Sequence, residues 1–266
     1  MAPDEYKAKY TDHSDSDAIR AFFGMITNID DNVGLLMEKL DEWGMADNTL
    51  LIFTTDNGSA RGSKIFNAGM KGGKGSQNEG GSRVPLFFRL PGTAPAGQDL
   101  GQLARHIDLF PTLADIAGAD ISDIGLEGRS LAPLLRDTSM EWPDRTLFFH
   151  GGRWPKKGAP GKFGQGDPHP DSYRYKKFAV RTERWRLVGK GELHDLQVDP
   201  GETMNVIADH PEVAQRLLKA YDGFWNRARP LLINEDAPLD VEKPFEANFL
   251  LQKDGKGIPT WEAPSL

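Results

Sequence analysis

Asp56 and Asn57 stand side by side at the end of a short apolar run, Leu50-Leu51-Ile52-Phe53-Thr54. A carboxylate and an amide oxygen are hard donors of the kind that Ca²⁺ or Mg²⁺ takes. The Asn57 amide nitrogen can donate to a substrate oxygen at the same time. Lys74 follows eighteen residues later within Gly73-Lys74-Gly75, a single placed cation in a glycine-rich loop. A metal-grade oxygen pair, one lysine and a return strand point to a site for an anionic, oxygen-rich group. The Gly73-Lys74 pair is not a nucleotide P-loop. That pattern needs Gly at 68 and Ser or Thr at 75, and the chain has Ala68 and Gly75.

The elements that must position these residues are legible around them. Leu50–Thr54 reads as a strand buried on both faces, and ligands of open α/β sheets gather at the carboxyl ends of such strands. Gly58 turns the chain sharply without a Cβ. Glu79-Gly80-Gly81-Ser82-Arg83-Val84-Pro85 then leads into an apolar return strand, Leu86-Phe87-Phe88. Glu79 and Arg83 are expected to form an ion pair bracing the loop. Upstream, Ile19, Phe22, Ile26, Ile29, Val33, Leu36, Leu40 and Trp43 recur at helical spacing, predicting a helix with one apolar face. Asp15-Ser16-Asp17 offers its N-cap, Gly44 ends it, and the polar lead Tyr6 to Ser16 reads as irregular. Asp30-Asp31-Asn32 is a solvated helix face, because neighbours on a helix diverge by about 100° and cannot converge on one ion.

The run TLLIFTTDNG followed by GKGSQNEGGSRVP resembles the second half of a type I, formylglycine-dependent sulfatase of the alkaline-phosphatase superfamily. The resemblance spans about Asp17 to Asn234. Its later landmarks are His106-Ile107-Asp108-Leu109-Phe110-Pro111-Thr112-Leu113, Gly128-Arg129-Ser130-Leu131, Glu192-Leu193-His194-Asp195-Leu196 and Asp199-Pro200-Gly201-Glu202. It implies Asp56 and Asn57 as metal ligands, for Ca²⁺ with Mg²⁺ as the second choice. It also implies Asn57 and Lys74 as substrate contacts, with the Lys74 ammonium offsetting charge on the ester oxygens in a catalytic role. The chemistry implied is hydrolysis of an aryl or carbohydrate sulfate ester, with a formylglycine nucleophile and a histidine that protonates the departing alcohol.

Formylglycine comes from a Cys or Ser in a Cys/Ser-x-Pro-x-Arg motif. The chain has no cysteine and no serine in that pattern. The remaining metal-binding aspartates, lysine and histidines of the family lie ahead of a Pro-Asp-x-Tyr segment resembling Pro3-Asp4-Glu5-Tyr6. The expectation is therefore a carboxyl-terminal portion of a sulfatase, inactive alone, with the missing amino-terminal half as a partner. Two other readings stay open: a phosphodiesterase or phosphonate monoester hydrolase of the same superfamily, and a non-catalytic cation-binding remnant.

Composition narrows the class. A net charge of −7 and a pI near 5.4 argue against a general nucleic-acid binder. Mean hydropathy is −0.51 and the apolar runs are strand-length, so no membrane span is expected. The absence of cysteine removes disulfides and thiolate sites. Met1-Ala2-Pro3-Asp4-Glu5 is polar and acidic, unlike a secretory leader, and the compartment is left open.

The fold class expected is α/β: the C-terminal part of an alkaline-phosphatase-like sheet with flanking helices, then a small antiparallel sheet covered by one helix. Residues 1–141 are assigned to the catalytic domain, 142–230 to the smaller α+β unit and 231–266 to a tail. A helix is predicted over Leu109 to Ala117, stopped by Gly118, with a shorter one at Ser130 to Leu135. Strands are predicted at Leu147–Phe149, Phe178–Arg181, Arg184–Val188 and Glu192–Leu196, with a covering helix from Pro211 to Arg227. Residues 151–170 hold ten Gly or Pro and read as a loop. Its Arg153, Lys156, Lys157 and Lys162 form a basic surface for a sulfated carbohydrate or a solvated insertion. His106 is expected to be a satisfied histidine near a helix start, His169 a surface residue and Arg129 structural.

Overall fold

In chain order the elements are α1 (Asp4–Ala8), α2 (Asp17–Glu42), β1 (Leu51–Thr54), α3 (Glu79–Ser82), β2 (Leu86–Arg89), α4 (Leu109–Ala117), α5 (Ala132–Arg136), β3 (Leu147–His150), β4 (Pro155–Lys156), β5 (Ala159–Phe163), β6 (Phe178–Arg181), β7 (Trp185–Val188), β8 (Glu192–Asp195) and α6 (Pro211–Ala228). They belong to a computed structural model, which describes residues 2–151, 155–156, 159–163, 170–231, 250–252 and 255. The tail assigned to 231–266 lies almost wholly outside the described residues. So do Arg153, Lys157 and His169. Within the segment read as a loop, β4 and β5 pair antiparallel, so part of it is a hairpin.

β3, β6, β7 and β8 form a four-stranded antiparallel sheet in that order. Short connections make the meander local: Thr182 donates its amide to the Trp185 carbonyl (2.9 Å) across the β6–β7 turn. One face of this sheet packs under α6, whose 3.6-residue period brings Leu217, Tyr221 and Trp225 onto Phe178, Val180 and Leu187. Side chains of this size each stabilise by roughly 1.5–3 kcal/mol when removed from water. α4 ends where predicted. Its C-cap Gly118 takes φ 68°, the left-handed conformation, and donates to the Ala114 and Asp115 carbonyls.

Two expectations need correction. The polar lead is not irregular, because it holds α1 and a 3₁₀ turn at Thr11–His13. Gly24 makes this packing feasible: a Cβ there would lie 3.0 Å from the Tyr6 backbone. β1 is only half-buried along its length, since its sheet has one partner, antiparallel β2, in the register Leu51↔Arg89 to Thr54↔Leu86. The apolar face predicted for α2 is largely uncovered, with Leu40 buried at its end. Ile26, Ile29, Leu36 and Trp43 are exposed at 47%, 48%, 43% and 64%.

That face carries a test. The triple variant Ile26→Lys, Ile29→Glu, Leu36→Glu should leave the thermal midpoint of the isolated chain unchanged within the scatter of surface substitutions. Its solubility should rise, because a contiguous apolar patch is removed. A sharply lower midpoint would mean that these side chains are buried in solution.

Candidate functional site

β1 delivers Thr55, Asp56 and Asn57 to its carboxyl end, and a chain of backbone contacts then shapes the loop behind them. Gly58 donates its amide to Gly81 (3.1 Å) and Lys74 donates its amide to Ser59 (2.9 Å). The approach is so close that a Cβ on Gly58 would sit 1.8 Å from the Gly80 carbonyl oxygen. One on Gly80 would sit 2.6 Å from that of Gly72. Glycine is required at both positions for steric reasons, independent of chain flexibility. Gly80 also donates to Lys71 (2.9 Å), so α3 is stitched to the loop that carries Lys74.

The other support comes from the four-stranded sheet. Arg186, 1% exposed, reaches from β7 to the Ser82 hydroxyl (2.7 Å). It also donates to the Gln77 carbonyl and to the Glu79 carboxylate. Arg181 adds a second cation to Glu79 at 3.0 Å. Glu202, fully buried, accepts from the Glu79 amide (2.7 Å) and the Asn78 side chain (3.1 Å), and lies 3.5 Å from Arg186. Burial pushes the Arg186 guanidinium below its usual value, while Glu79 and Glu202 act to keep it charged. At the surface Lys71 bridges Glu192 of β8 at 2.8 Å, and that bond draws the Glu192 carboxyl below the usual carboxylate range against burial.

These contacts correct the expected Glu79–Arg83 pair. Glu79 pairs instead with Arg181 and Arg186, and Arg83 is exposed at the cleft mouth. They also reveal what the Asp199–Glu202 motif does. Asp199 accepts from the Thr203 hydroxyl (2.9 Å) and the Met204 amide (2.7 Å), which presents Glu202 inward. Glu202 and Arg186 were not singled out as functional from sequence. A buried Arg on a strand facing two glutamates distant in sequence has no local signature.

His106 directs its Nε2 to the Thr55 carbonyl at 2.8 Å, so it is satisfied as expected and ties the start of α4 to the residue before Asp56. Arg129 donates to the Pro143 carbonyl at 2.7 Å, a structural contact. Asp30, Asp31 and Asn32 are exposed on α2.

Asp56, Asn57 and Lys74 line one cleft of about 810 Å³, which also takes in Gln77, Arg83, Arg105, His106, Lys177 and the apolar floor of Leu134, Leu147 and Phe149. The Asp56 carboxylate is exposed and the Asn57 amide half-buried. Among the described residues neither side chain is engaged in a hydrogen bond or ion pair, and neither is the Lys74 ammonium. Free oxygens of this type suit a calcium shell of six to eight ligands, so the pair fits part of such a set. No group of three or more His, Asp or Glu side chains among the described residues could hold a metal. No helix of the described residues is long and apolar enough to cross a membrane.

Comparison with known proteins follows the same residues. The family model Sulfatase matches residues 1–119, and the model for N-sulphoglucosamine sulphohydrolase, C-terminal, matches residues 74–221. A sulfatase of Formosa agariphila is 32% identical over 254 residues, covering 89% of this chain and 44% of the relative. Arylsulfatase A of Homo sapiens is 33% identical over 230 residues, covering 74% of this chain and 41% of the relative. The chain thus spans less than half the length of these relatives. In fold it is similar to Ps i-CgsB in complex with k-i-k-neocarrahexaose, with a TM-score of 0.72 at 24% identity over 96% of this chain and 52% of that one. It is also similar to BT4656 in complex with its substrate D-glucosamine-2-N,6-O-disulfate, with a TM-score of 0.60 at 22% identity over 80% of this chain and 41% of that one. A phosphonate monoester hydrolase from Silicibacter pomeroyi shares the fold as well, with a TM-score of 0.54 at 24% identity over 83% of this chain and 44% of that one.

Proposed function

Because the chain belongs to the sulfatase family, we propose that it is the carboxyl-terminal portion of a sulfuric ester hydrolase and supplies the electrostatic half of its active site. The observation that carries this is the gathering of an uncommitted carboxylate, amide and ammonium at Asp56, Asn57 and Lys74 in one cleft. Asp56 and Asn57 would hold the cation through their side-chain oxygens, and a bound Ca²⁺ or Mg²⁺ supplies positive charge for the sulfuryl oxygens. Asn57 has an amide N–H to donate toward one of those oxygens. Lys74, on a loop fixed by Arg186 and Glu202, brings an ammonium against the charge that develops as the S–O bond breaks. The carbohydrate or aryl part of the ester would rest on the apolar floor at Leu147 and Phe149.

The nucleophile and the acid for the leaving alcohol are assigned to the amino-terminal half. The exposed face of α2 and the half-buried β1 support that assignment, since such surfaces in an α/β protein call for another layer. A phosphonate monoester hydrolase is similar in fold, so the fold does not separate the two chemistries. The experiment is to join residues 1–266 to an upstream half bearing the formylglycine motif and compare matched sulfate and phosphate monoesters. The reading requires preference for the sulfate ester, with Asp56→Ala and Lys74→Ala each lowering kcat/KM by about 10² or more. Preference for the phosphorus ester would replace it with the phosphonate hydrolase reading.

A further inference from the structure

Arg105 is a cleft cation that the ester chemistry proposed above does not use. Its neighbour Asp108 is fully buried and saturated: it accepts from the Arg129 amide (2.8 Å), the Arg105 amide (2.7 Å) and the Arg145 guanidinium (2.7 Å). That one carboxylate is neutralised by Arg145, which leaves the Arg105 side chain without a counter-charge. Glu127, the other acid that attracts it, pairs with Arg227 at 3.2 Å. No described carboxylate lies within ion-pair distance of the Arg105 guanidinium, which sits over the Phe149 ring at 5.2 Å. Burial foremost, and the Arg145 charge after it, push this guanidinium below its usual value. An arginine in that condition lowers its free energy by gaining an anion.

Of the acids lining the cleft, Glu79 is taken by two arginines, and Asp56, exposed at the ester site, makes no ion pair with Arg105. Arg181 and Arg186 are matched by Glu79 and Glu202. Arg83 and Lys177 add further cations to the same walls. Position is fixed too. The His106 contact to the Thr55 carbonyl (2.8 Å) anchors the residue next to Arg105 beside the strand end that carries Asp56, and Asp108 pins the Arg105 backbone amide.

We propose that Arg105, backed by Phe149, is a second anion subsite that takes an anionic oxygen group on the substrate other than the ester being cleaved. The proposal rests on the reading of Asp56, Asn57 and Lys74 as the ester site, and it narrows the substrate class to carbohydrates bearing two anionic groups. A planar guanidinium fork suits a sulfate or a carboxylate equally.

The test is calorimetric or NMR titration of residues 1–266 at low ionic strength. The probes are D-glucosamine 6-sulfate, D-glucosamine-2-N,6-O-disulfate and a singly sulfated uronic acid. The two dianions should bind about 5- to 10-fold more tightly than the monosulfate. Arg105→Gln should remove that preference while leaving the monosulfate affinity within about two-fold, and Arg105→Lys should keep part of it. Which dianion gains more tells whether a sulfate or a carboxylate is the natural group. No preference in the unmodified chain, or a preference that survives Arg105→Gln in a variant with an unchanged melting midpoint, would overturn the proposal, as would absence of binding by all three. Lys74→Ala separates the two readings. If it leaves every affinity unchanged while Arg105→Gln abolishes the preference, the ester site is misplaced and the anion subsite stands.

Discussion

Arg186→Leu is expected to destabilise the chain by about 3–5 kcal/mol, the scale for breaking a buried ion pair from one side. The substitution leaves the fully buried Glu202 without its cation and strips the Gln77 carbonyl and Ser82 hydroxyl of their donor. Arg181 still faces Glu79 at 3.0 Å, which keeps the loss below that of an unpaired carboxylate pair. Urea unfolding followed by tryptophan fluorescence reads this directly, since Trp225 of α6 and Trp185 of β7 lie in the same buried core. Arg186→Lys should recover part of the loss, because the charge is kept and the fork is not. A change under 1 kcal/mol for Arg186→Leu would show that the network is replaceable. Hydrogen exchange should localise the damage: the Lys74, Ser76 and Gly80 amides, bonded to Ser59, Gly73 and Lys71, should lose protection before the α6 amides do.

Purified residues 1–266 should hydrolyse no aryl sulfate above background. On the reading proposed above the nucleophile is a formylglycine made from a Cys or Ser in a Cys/Ser-x-Pro-x-Arg pattern, which these residues do not hold, and positioned charges alone do not replace covalent catalysis. The same preparation should bind Ca²⁺ weakly or not measurably, because one carboxylate and one amide fall short of six to eight oxygens and no third acidic or imidazole ligand gathers with them among the described residues. An assay with a chromogenic aryl sulfate, run beside calcium calorimetry, checks both. Reproducible turnover abolished by Lys74→Ala would show that a nucleophile exists within these residues. Tight Ca²⁺ binding lost in Asp56→Ala would show that other oxygens complete the site.

The joining experiment, the α2 surface variant and the Arg105 titration address different layers of the same molecule. The first concerns the ester chemistry, the second the face that α2 presents, and the third the selection of substrate. Glu202 and Arg186 tie the carboxyl-terminal unit to the segment that follows Lys74.

Local residues were enough to determine the longer helices and the strands of the four-stranded sheet, though not α1 or the β4–β5 hairpin. The 3.6-residue apolar period, Pro211 at a helix start and Gly118 at a helix end fixed α2, α4 and α6 to within a residue or two, since helices are governed by contacts three and four positions apart. The strands at 147, 178, 185 and 192 were legible for the same kind of reason: short apolar runs between turn residues. Asp56, Asn57 and Lys74 stood out as candidates because oxygen donors and a loop cation occur within a run of family-like motifs, and the fold brings the three to one cleft. Burial and pairing were decided by the tertiary structure alone. The apolar stripe of α2 says that a face wants cover, and only packing shows that Ile26, Ile29 and Leu36 have none in this chain. Glu79 could have met Arg83 four residues away; it met Arg181 and Arg186 instead, because α3 runs against β6 and β7. Arg105 looks like any surface arginine until Asp108 is seen to be taken by Arg145. Charge compensation depends on distances across the fold, and the sequence carries those distances only through the packing of all its elements together.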